Sequence, residues 1–444
     1  MNGRLHLFQK GHLVTFFAGL QWLGFMFANT VVIPLSVGNA FHLSSEQISG
    51  AMSRSFILTG IACLLQIVFG HRLPLMEGQS GLWWGFILSL CSLGASTGMP
   101  LTEIGGSLGA GMILGGILIS VSGLLGLHKW LNRLFSPIVM AVLLILLAAQ
   151  LIDIFFKGMT GIQADGHIHP GIAILSILLV VLVSCLTVAG RGLISNFSIL
   201  IGIVVGWVVY VWIFGSPSAP VIPKWQAILH PFDWGTIAFQ PGILIATIVS
   251  AFINTTNTIA TLRAAEFVFE TPVSASEYRR SFLLTGMYTA ASGVFSLVAY
   301  APYTSSIGFL RTTRLLAKSP YIVGGILFTI LGLIPPLAGF FATLPISIGD
   351  AVLFVAYMQL FGSALQNIEG VTFNFRTIFR IAVPILTGLA IQSTPATAFE
   401  TLPKLLQSIA SNGMLIGILL SVLLENAVPW EWLEKRGKEN PAAK

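Results

Sequence analysis

Apolar stretches of about twenty residues recur along almost the whole of this 444-residue chain, with hardly a charge inside them. As a helix, a stretch of that length crosses the hydrocarbon core of a bilayer, about 30 Å thick. Only 9% of the residues are Asp, Glu, Lys or Arg, against about 25% in a soluble domain. No water-facing surface for two or three soluble domains can be built from so few. Gly and Pro (46 and 21 residues) are scattered through the apolar runs, which excludes a disordered or collagen-like chain. Cys63, Cys91 and Cys185 lie in apolar runs without CxxC spacing, so they supply neither a disulfide framework nor a zinc site. The composition specifies an all-α polytopic membrane protein, with the lipid bilayer as its first partner.

Twelve spans read conventionally, at 12–37, 47–69, 105–126, 136–156, 171–189, 193–214, 242–262, 281–300, 321–343, 348–366, 377–396 and 412–429. Two weaker segments, 73–93 and 302–318, open beside Pro74 and Pro302 and run through small polar residues before they become apolar and helical. Read as half-strand, half-helix crossings, they bring the total to fourteen and put both termini on one side. With the N-terminus in the cytoplasm, eighteen of the 22 Lys and Arg fall inside. They include Arg72, Lys129, Arg133, Arg263, Arg279, Arg311, Lys435, Arg436, Lys438 and Lys444. Only Arg54, Lys157, Lys224 and Lys404 fall outside, as the positive-inside rule requires. The net charge of +6 is therefore topological and does not imply a nucleic-acid partner. The first span lacks a small-residue cleavage site and is expected to be retained in the cell membrane.

The two halves echo each other at an offset of about 209 residues. Gly115-Gly116-Ile117-Leu118 with Gly123-Leu124 matches Gly324-Gly325-Ile326-Leu327 with Gly332-Leu333, and Pro137-Ile138 and Gln150-Leu151 match Pro345-Ile346 and Gln359-Leu360. The two proline-led segments stand third in each set of seven. An odd number of spans per repeat inverts the second half, and inverted repeats with paired interrupted segments mark secondary transporters, whose sites lie between the broken elements.

Several tracts resemble the nucleobase–ascorbate transporter family. They are Gly60-Ile61-Ala62-Cys63-Leu64-Leu65-Gln66, then Gly70-His71-Arg72-Leu73-Pro74 and Gly78-Gln79-Ser80; Gly19-Leu20-Gln21 with Val32-Ile33-Pro34-Leu35; and Arg279-Arg280 through Pro302 to Arg311-Thr312-Thr313-Arg314. The resemblance implies a fourteen-span, seven-plus-seven fold. A core domain would comprise residues 1–126 and 236–344, a gate domain residues 127–235 and 345–430, and a cytoplasmic tail residues 431–444. It further implies a homodimer that carries purines, uracil or xanthine with protons, or in some animal relatives ascorbate with sodium. No cofactor is implied beyond the coupling ion, H+. The departures are as informative. The family's span-8 carboxylate falls on Ile253, its segment-10 acid or amide on Ser305 beside Ser306, the His after Gln21 on Trp22, and the aromatic after the segment-3 Ser on Gly81.

What this chain offers in their place is mostly neutral. Ser250, Asn254, Asn257, Thr258 and Thr261 make one polar stripe on span 8. Their amides can both donate to and accept from a nucleobase edge, or else hydrogen-bond neighbouring helices. Glu77 directly precedes Gly78-Gln79-Ser80. A carboxylate at membrane depth is costly unless it is protonated or paired, so Glu77 is a candidate to read a substrate N–H or to carry the coupling proton; the alternative is an interfacial ion pair with Arg72. Gln79, Ser80, Thr304, Ser305 and Ser306 open the two half-helices, where N-terminal amides favour a carbonyl or an anion. Phe252, Trp22, Phe27 and Tyr303 are candidates to stack on a ring, while Asp153 and Asp350 are expected to face the outer water, and Glu369 and Glu425 the interface. An intramembrane hydrolase built on Gly78-Gln79-Ser80-Gly81 lacks a histidine in the middle of a later span, and no HExxH occurs. A small-anion carrier of the same architecture remains the main alternative to a nucleobase permease.

Overall fold

The computed structural model describes residues 2–127, 134–162, 166–216 and 219–430; the expected tail 431–444 and Lys129, Arg133, Lys435, Arg436, Lys438 and Lys444 lie outside the described residues. Every apolar segment falls on a helix. Segment 1 is α1 (Asn2–Thr30) and, after a break at Val31, α2 (Val32–Ala40); segment 2 is α3 (Ser45–Phe69). Segment 3 opens as strand β1 (Glu77–Gln79) and continues as α4 (Gly81–Thr97), followed by α5 (Leu101–Leu125). Segments 5 to 7 are α6 (Pro137–Thr160), α7 (Pro170–Val188) and α8 (Ser198–Phe214). The second half keeps the order. It comprises α9 (Pro241–Phe269), α10 (Ala275–Phe295), β2 (Tyr300–Pro302) with α11 (Ser305–Thr313), and α12 (Lys318–Gly332) with α13 (Pro335–Phe341). The last three are α14 (Ile346–Asn367), α15 (Phe375–Ser393) and α16 (Gly413–Ala427). Among the described residues eight helices are long and apolar enough to cross a membrane, nine if α12 and α13, bent by 88°, are one span.

Several boundaries differ from the sequence reading: the first segment breaks at Val31, the seventh is split before Ser198, and the eighth runs on to Phe269. The ninth segment, expected over 281–300, is helical over Ala275–Phe295. A capping box formed by Ser274 and Glu277 starts it early, and the chain after Ser296 runs into β2. The eleventh segment, read as continuous over 321–343, bends where Pro335 and Pro336 follow Ile334.

The packing follows an exchange rule between the halves. α5 packs on α10 as α3 packs on α12, and α5 on α9 as α1 on α12. Likewise α7 on α14 mirrors α6 on α15, and α7 on α8 mirrors α15 on α16, while α6 packs on its own counterpart α14. The repeated glycines explain why the sequence echo exists. A Cβ on Gly115 would meet Ala251 of α9, and one on Gly324 would meet Trp22 of α1; Gly116 and Gly123 abut α10 as Gly325 and Gly332 abut α3. Each glycine lets two backbones approach where any side chain would hold them apart. Both α3 and α10 also begin with capping boxes, Ser44 with Gln47 and Ser274 with Glu277. An inverted seven-plus-seven repeat accounts for all of these equivalences.

β1 and β2 pair antiparallel, with Glu77 opposite Pro302, Gly78 opposite Ala301 and Gln79 opposite Tyr300. α1, α3, α9 and α10 pack around this ribbon, with α5 and α12 behind them; α6, α7, α8, α14, α15 and α16 pack chiefly on one another.

Candidate functional site

A two-stranded ribbon leaves the outer edge of each strand unpaired, which is affordable in a membrane only if neighbouring groups satisfy it. On the β2 edge, α9 does so: Asn254 Nδ2 donates to the Tyr300 carbonyl at 3.0 Å and Thr261 Oγ1 to that of Pro302 at 3.1 Å. On the β1 edge, Cys63 Sγ lies 3.3 Å from the Glu77 N–H and 3.4 Å from its carbonyl, and the Tyr303 hydroxyl donates to the Gln79 carbonyl. The Met76 N–H donates to Ser306 Oγ at 3.0 Å. Asn254, Thr261 and Ser306 thus hold the ribbon, and the polar stripe of span 8 is in part the interhelical bonding that its residue types equally allow.

The rest of the stripe meets the starts of α4 and α11. Asn257 Nδ2 donates to Ser80 Oγ at 3.3 Å and to Asn254 Oδ1 at 3.1 Å. Thr304 Oγ1 lies 2.8 Å from Thr261 Oγ1. Asn257 is half-buried, Thr304 and Ser305 are exposed, and Gly308, one turn further along α11, has open space where a Cβ would stand. Two helix N-termini and the middle of a third helix therefore bring together amide and hydroxyl groups without a formal charge, beside the partial positive charge of the helix ends.

The other candidates lie elsewhere. Gln79 is buried, its Nε2 donating to Ser55 Oγ of α3 at 3.1 Å. Phe252 is half-buried and packs against the apolar core, about 140° around α9 from Asn257. Trp22 is sealed against Phe309 and Tyr321, and Phe27 against Phe56 and Phe341. Ser80 Oγ meets an amide rather than an imidazole, so it has no general base.

Glu77 is fully buried, and like Gln79 it belongs to the ribbon face opposite Gly78, whose missing Cβ would meet Tyr303. Arg72 is exposed and makes no pair with it. The neighbour of Glu77 is His71, whose Nε2 lies 3.6 Å from Glu77 Oε1, both side chains wholly inaccessible. The sequence reading missed His71; its signal was an imidazole six residues from an acid bracketed by apolar segments. Asp350 is corrected as well. Expected to face the outer water, it is 1% exposed and wedged over Gly158 of α6, whose absent Cβ leaves room for the carboxylate. Asp153 is 60% exposed and pairs with Lys157 at 2.8 Å, while Glu425 accepts from Arg380 Nε at 2.6 Å and from its Nη2 at 2.7 Å.

A cavity of about 1320 Å³ opens on the face that the charge count puts outside, lined by Asn39, Ser89, Gln150, Asp153 and Asn412 among others. It stops short of Ser80 and Asn257. Along α4 the order is Gly81 against Tyr357, then Trp84 against Phe155 and Tyr357, then Leu88 and Ser89 at the cavity wall. An aromatic plug between α4 and the pair α6 and α14 thus separates the cavity from the polar cluster.

Residues 13–397, nearly the whole of this architecture, match the sequence model of the xanthine/uracil permeases, described as the Permease family. The chain belongs to this permease family. Among relatives of the permease, YwdJ of Bacillus subtilis (strain 168), by name a proposed purine permease, is 28% identical over 93% of this chain and 95% of its own. The nucleobase transporter PlUacP of Paenibacillus larvae is 25% identical over 91% and 92%, and the uric acid permease PucJ of Bacillus subtilis 24% over 94% and 93%. The permease also shares its fold with the transmembrane domain of a cyanobacterium bicarbonate transporter, BicA (TM-score 0.60, 14% identity, 93% of this chain and 95% of that one). The likeness extends to SLC26A9 (TM-score 0.58, 10% identity, 93% of this chain and 65% of that one). The chain is a multi-pass membrane permease and not an enzyme.

Proposed function

We propose that this permease is a secondary transporter of a nucleobase, of the xanthine, urate and purine class or uracil, coupled to protons and working by alternating access. The observation that carries the reading is the neutral run from Asn254 through Asn257 to Ser80, facing Thr304 and Ser305 across the two half-helix starts. A nucleobase edge alternates N–H and C=O groups, and an amide with a hydroxyl on either side can meet both. The names of the relatives point to the same substrates. Asn257, Ser80, Thr304 and Ser305 are the residues assigned to the substrate.

The helices around the ribbon act as the core and the remaining helices as the gate. Movement of one against the other opens the aromatic plug to the outer cavity or closes it. α7 and α15, in equivalent places of the two repeats, leave most of their apolar side chains uncovered; lipid and a second copy of the chain cover them. The termini are assigned to the cytoplasm on the charge count.

Uptake of labelled uracil, xanthine, hypoxanthine, urate and sulfate into a permease-deficient host tests the reading. One or more nucleobases accumulate and sulfate does not. Accumulation of sulfate alone establishes the small-anion carrier instead.

A further inference from the structure

Resting on the transport reading above, we propose that His71 and Glu77 form the proton-binding site of this permease, separate from the groups that touch substrate and on the opposite face of the ribbon. Both side chains are wholly inaccessible, Nε2 and Oε1 stand 3.6 Å apart, and neither Glu77 oxygen nor His71 Nε2 has a hydrogen-bond partner. In a close-packed interior such groups are nearly always satisfied. Two sets of unmet groups facing each other mark a place where a proton comes and goes.

The tautomer is fixed locally. His71 Nδ1 accepts the Leu73 N–H at 3.1 Å, so the neutral ring carries its hydrogen on Nε2, toward Glu77. Among the described residues, the other ionisable groups within electrostatic reach are Cys63 on α3, Tyr288 on α10, and Tyr321 and Lys318 on α12. Cys63 is bonded to the Glu77 backbone, and the Tyr288 and Tyr321 hydroxyls donate to the carbonyls of Ala62 and Leu75. None of the four hydrogen-bonds to the Glu77 carboxyl.

The step is a proton transfer alone. On loading, a proton forms an O–H bond on the carboxylate and the pair becomes neutral. On release that bond breaks, the proton leaves to water, and the carboxylate accepts from the Nε2–H of His71. A charge-assisted bond of this kind is about 2.7–2.9 Å long, so release draws the two side chains together from 3.6 Å. β1 carries Glu77 directly into Ser80, the acceptor of Asn257, and Tyr303 ties the Gln79 carbonyl to the start of α11. A small shift of β1 therefore reaches both halves of the polar cluster.

The test uses full-length protein in liposomes, with labelled xanthine and urate as probes. Counterflow without a pH gradient is compared with accumulation driven by one. A one-unit gradient supports a concentration ratio of up to about tenfold for one proton per substrate. Glu77→Gln is expected to retain measurable counterflow while its accumulation ratio falls to one, and His71→Gln to move the pH profile of accumulation. Glu77→Gln that accumulates substrate like the wild type overturns the proposal, as does wild-type accumulation driven by sodium and indifferent to pH. Wild-type protein that shows no counterflow of any nucleobase instead overturns the transport reading. Should Glu77→Gln yield no counterflow, Glu77→Asp and His71→Asn decide: unchanged pH profiles in both reject the site.

Discussion

Asn254 and Asn257 are one helical turn apart and carry the same amide, yet the fold uses them differently. Asn254 spends its N–H on a strand carbonyl, whereas Asn257 is half-buried and bonds to the N-cap Ser80. Asn254→Leu should therefore lower thermal stability by about 1–3 kcal/mol, the cost of leaving a buried carbonyl unpaired. Asn257→Leu takes the partner from the buried Asn254 Oδ1, so it should cost a comparable amount of stability and in addition cut uptake per folded molecule about tenfold, the weight of one good hydrogen bond to a substrate. Fluorescence-detected melting and tracer uptake on the two variants measure this split. The span-8 stripe was plain from residue type and spacing, but its division into members that hold the ribbon and members that reach the half-helix start was not, because the deciding carbonyls come from a strand some 46 residues away. Asp350 was misplaced for a similar reason. Only the pairing of α14 with α6 reveals that Gly158 opens a pocket for its carboxylate. Gly158→Ala puts a Cβ 1.6 Å from Asp350 Oδ2 and should destabilise by about 1–3 kcal/mol through overpacking. Asp350→Ala in the same chain should recover much of that loss, a coupling that a double-mutant cycle reads directly.

At the scale of elements, each segment read from hydropathy falls on a helix or a strand–helix pair, and Pro74 and Pro302 marked the two that contain a strand. The break at Val31, the 88° bend before Pro335 and the early start of α10 were not evident. Each depends on a local cap or a neighbouring helix rather than on apolar periodicity. The glycine-lined crossings carry a sharper expectation. A Cβ on Gly60 lies 2.6 Å from the Gly325 carbonyl, and one on Gly286 lies 2.4 Å from that of Gly116. Gly60→Val and Gly286→Val occupy equivalent crossings and should reduce folded, monodisperse protein in size-exclusion chromatography to a similar degree. Gly308→Ala, with open space around it, should not. The segment 225–233 shows how a buried charge is held. Arg54 of α3 binds the Ala227 carbonyl at 2.7 Å and pairs with Asp233, at 4% and 2% exposure. Removing one partner of such a pair costs about 3–5 kcal/mol, whereas an exposed pair such as Asp153 with Lys157 is worth about 0–1. Thermal melts of Asp233→Asn and Asp153→Asn should differ accordingly.

Across the whole molecule, the same packing rule recurs in both halves and yields a ribbon whose strands lead into two half-helices. The echo of glycines and prolines made the repeat readable in one sequence, because close backbone approaches recur wherever the architecture recurs. The chemistry at the centre was less readable. The carboxylates that the family resemblance leads one to expect are absent, and the acid nearest the site turns away from it toward His71. What remains for the substrate is a set of neutral amides and hydroxyls behind the Trp84, Phe155 and Tyr357 plug. That arrangement suits a ligand recognised by the hydrogen-bonding pattern of a ring edge. The decisive measurement is counterflow of labelled xanthine and urate in liposomes bearing wild-type or Asn257→Leu protein, with unlabelled uracil, hypoxanthine and sulfate as competitors. Counterflow of a nucleobase by the wild type, blocked by other nucleobases but not by sulfate and lost in Asn257→Leu, is the predicted result. Exchange of sulfate without any nucleobase, or nucleobase exchange undiminished in Asn257→Leu, would contradict it.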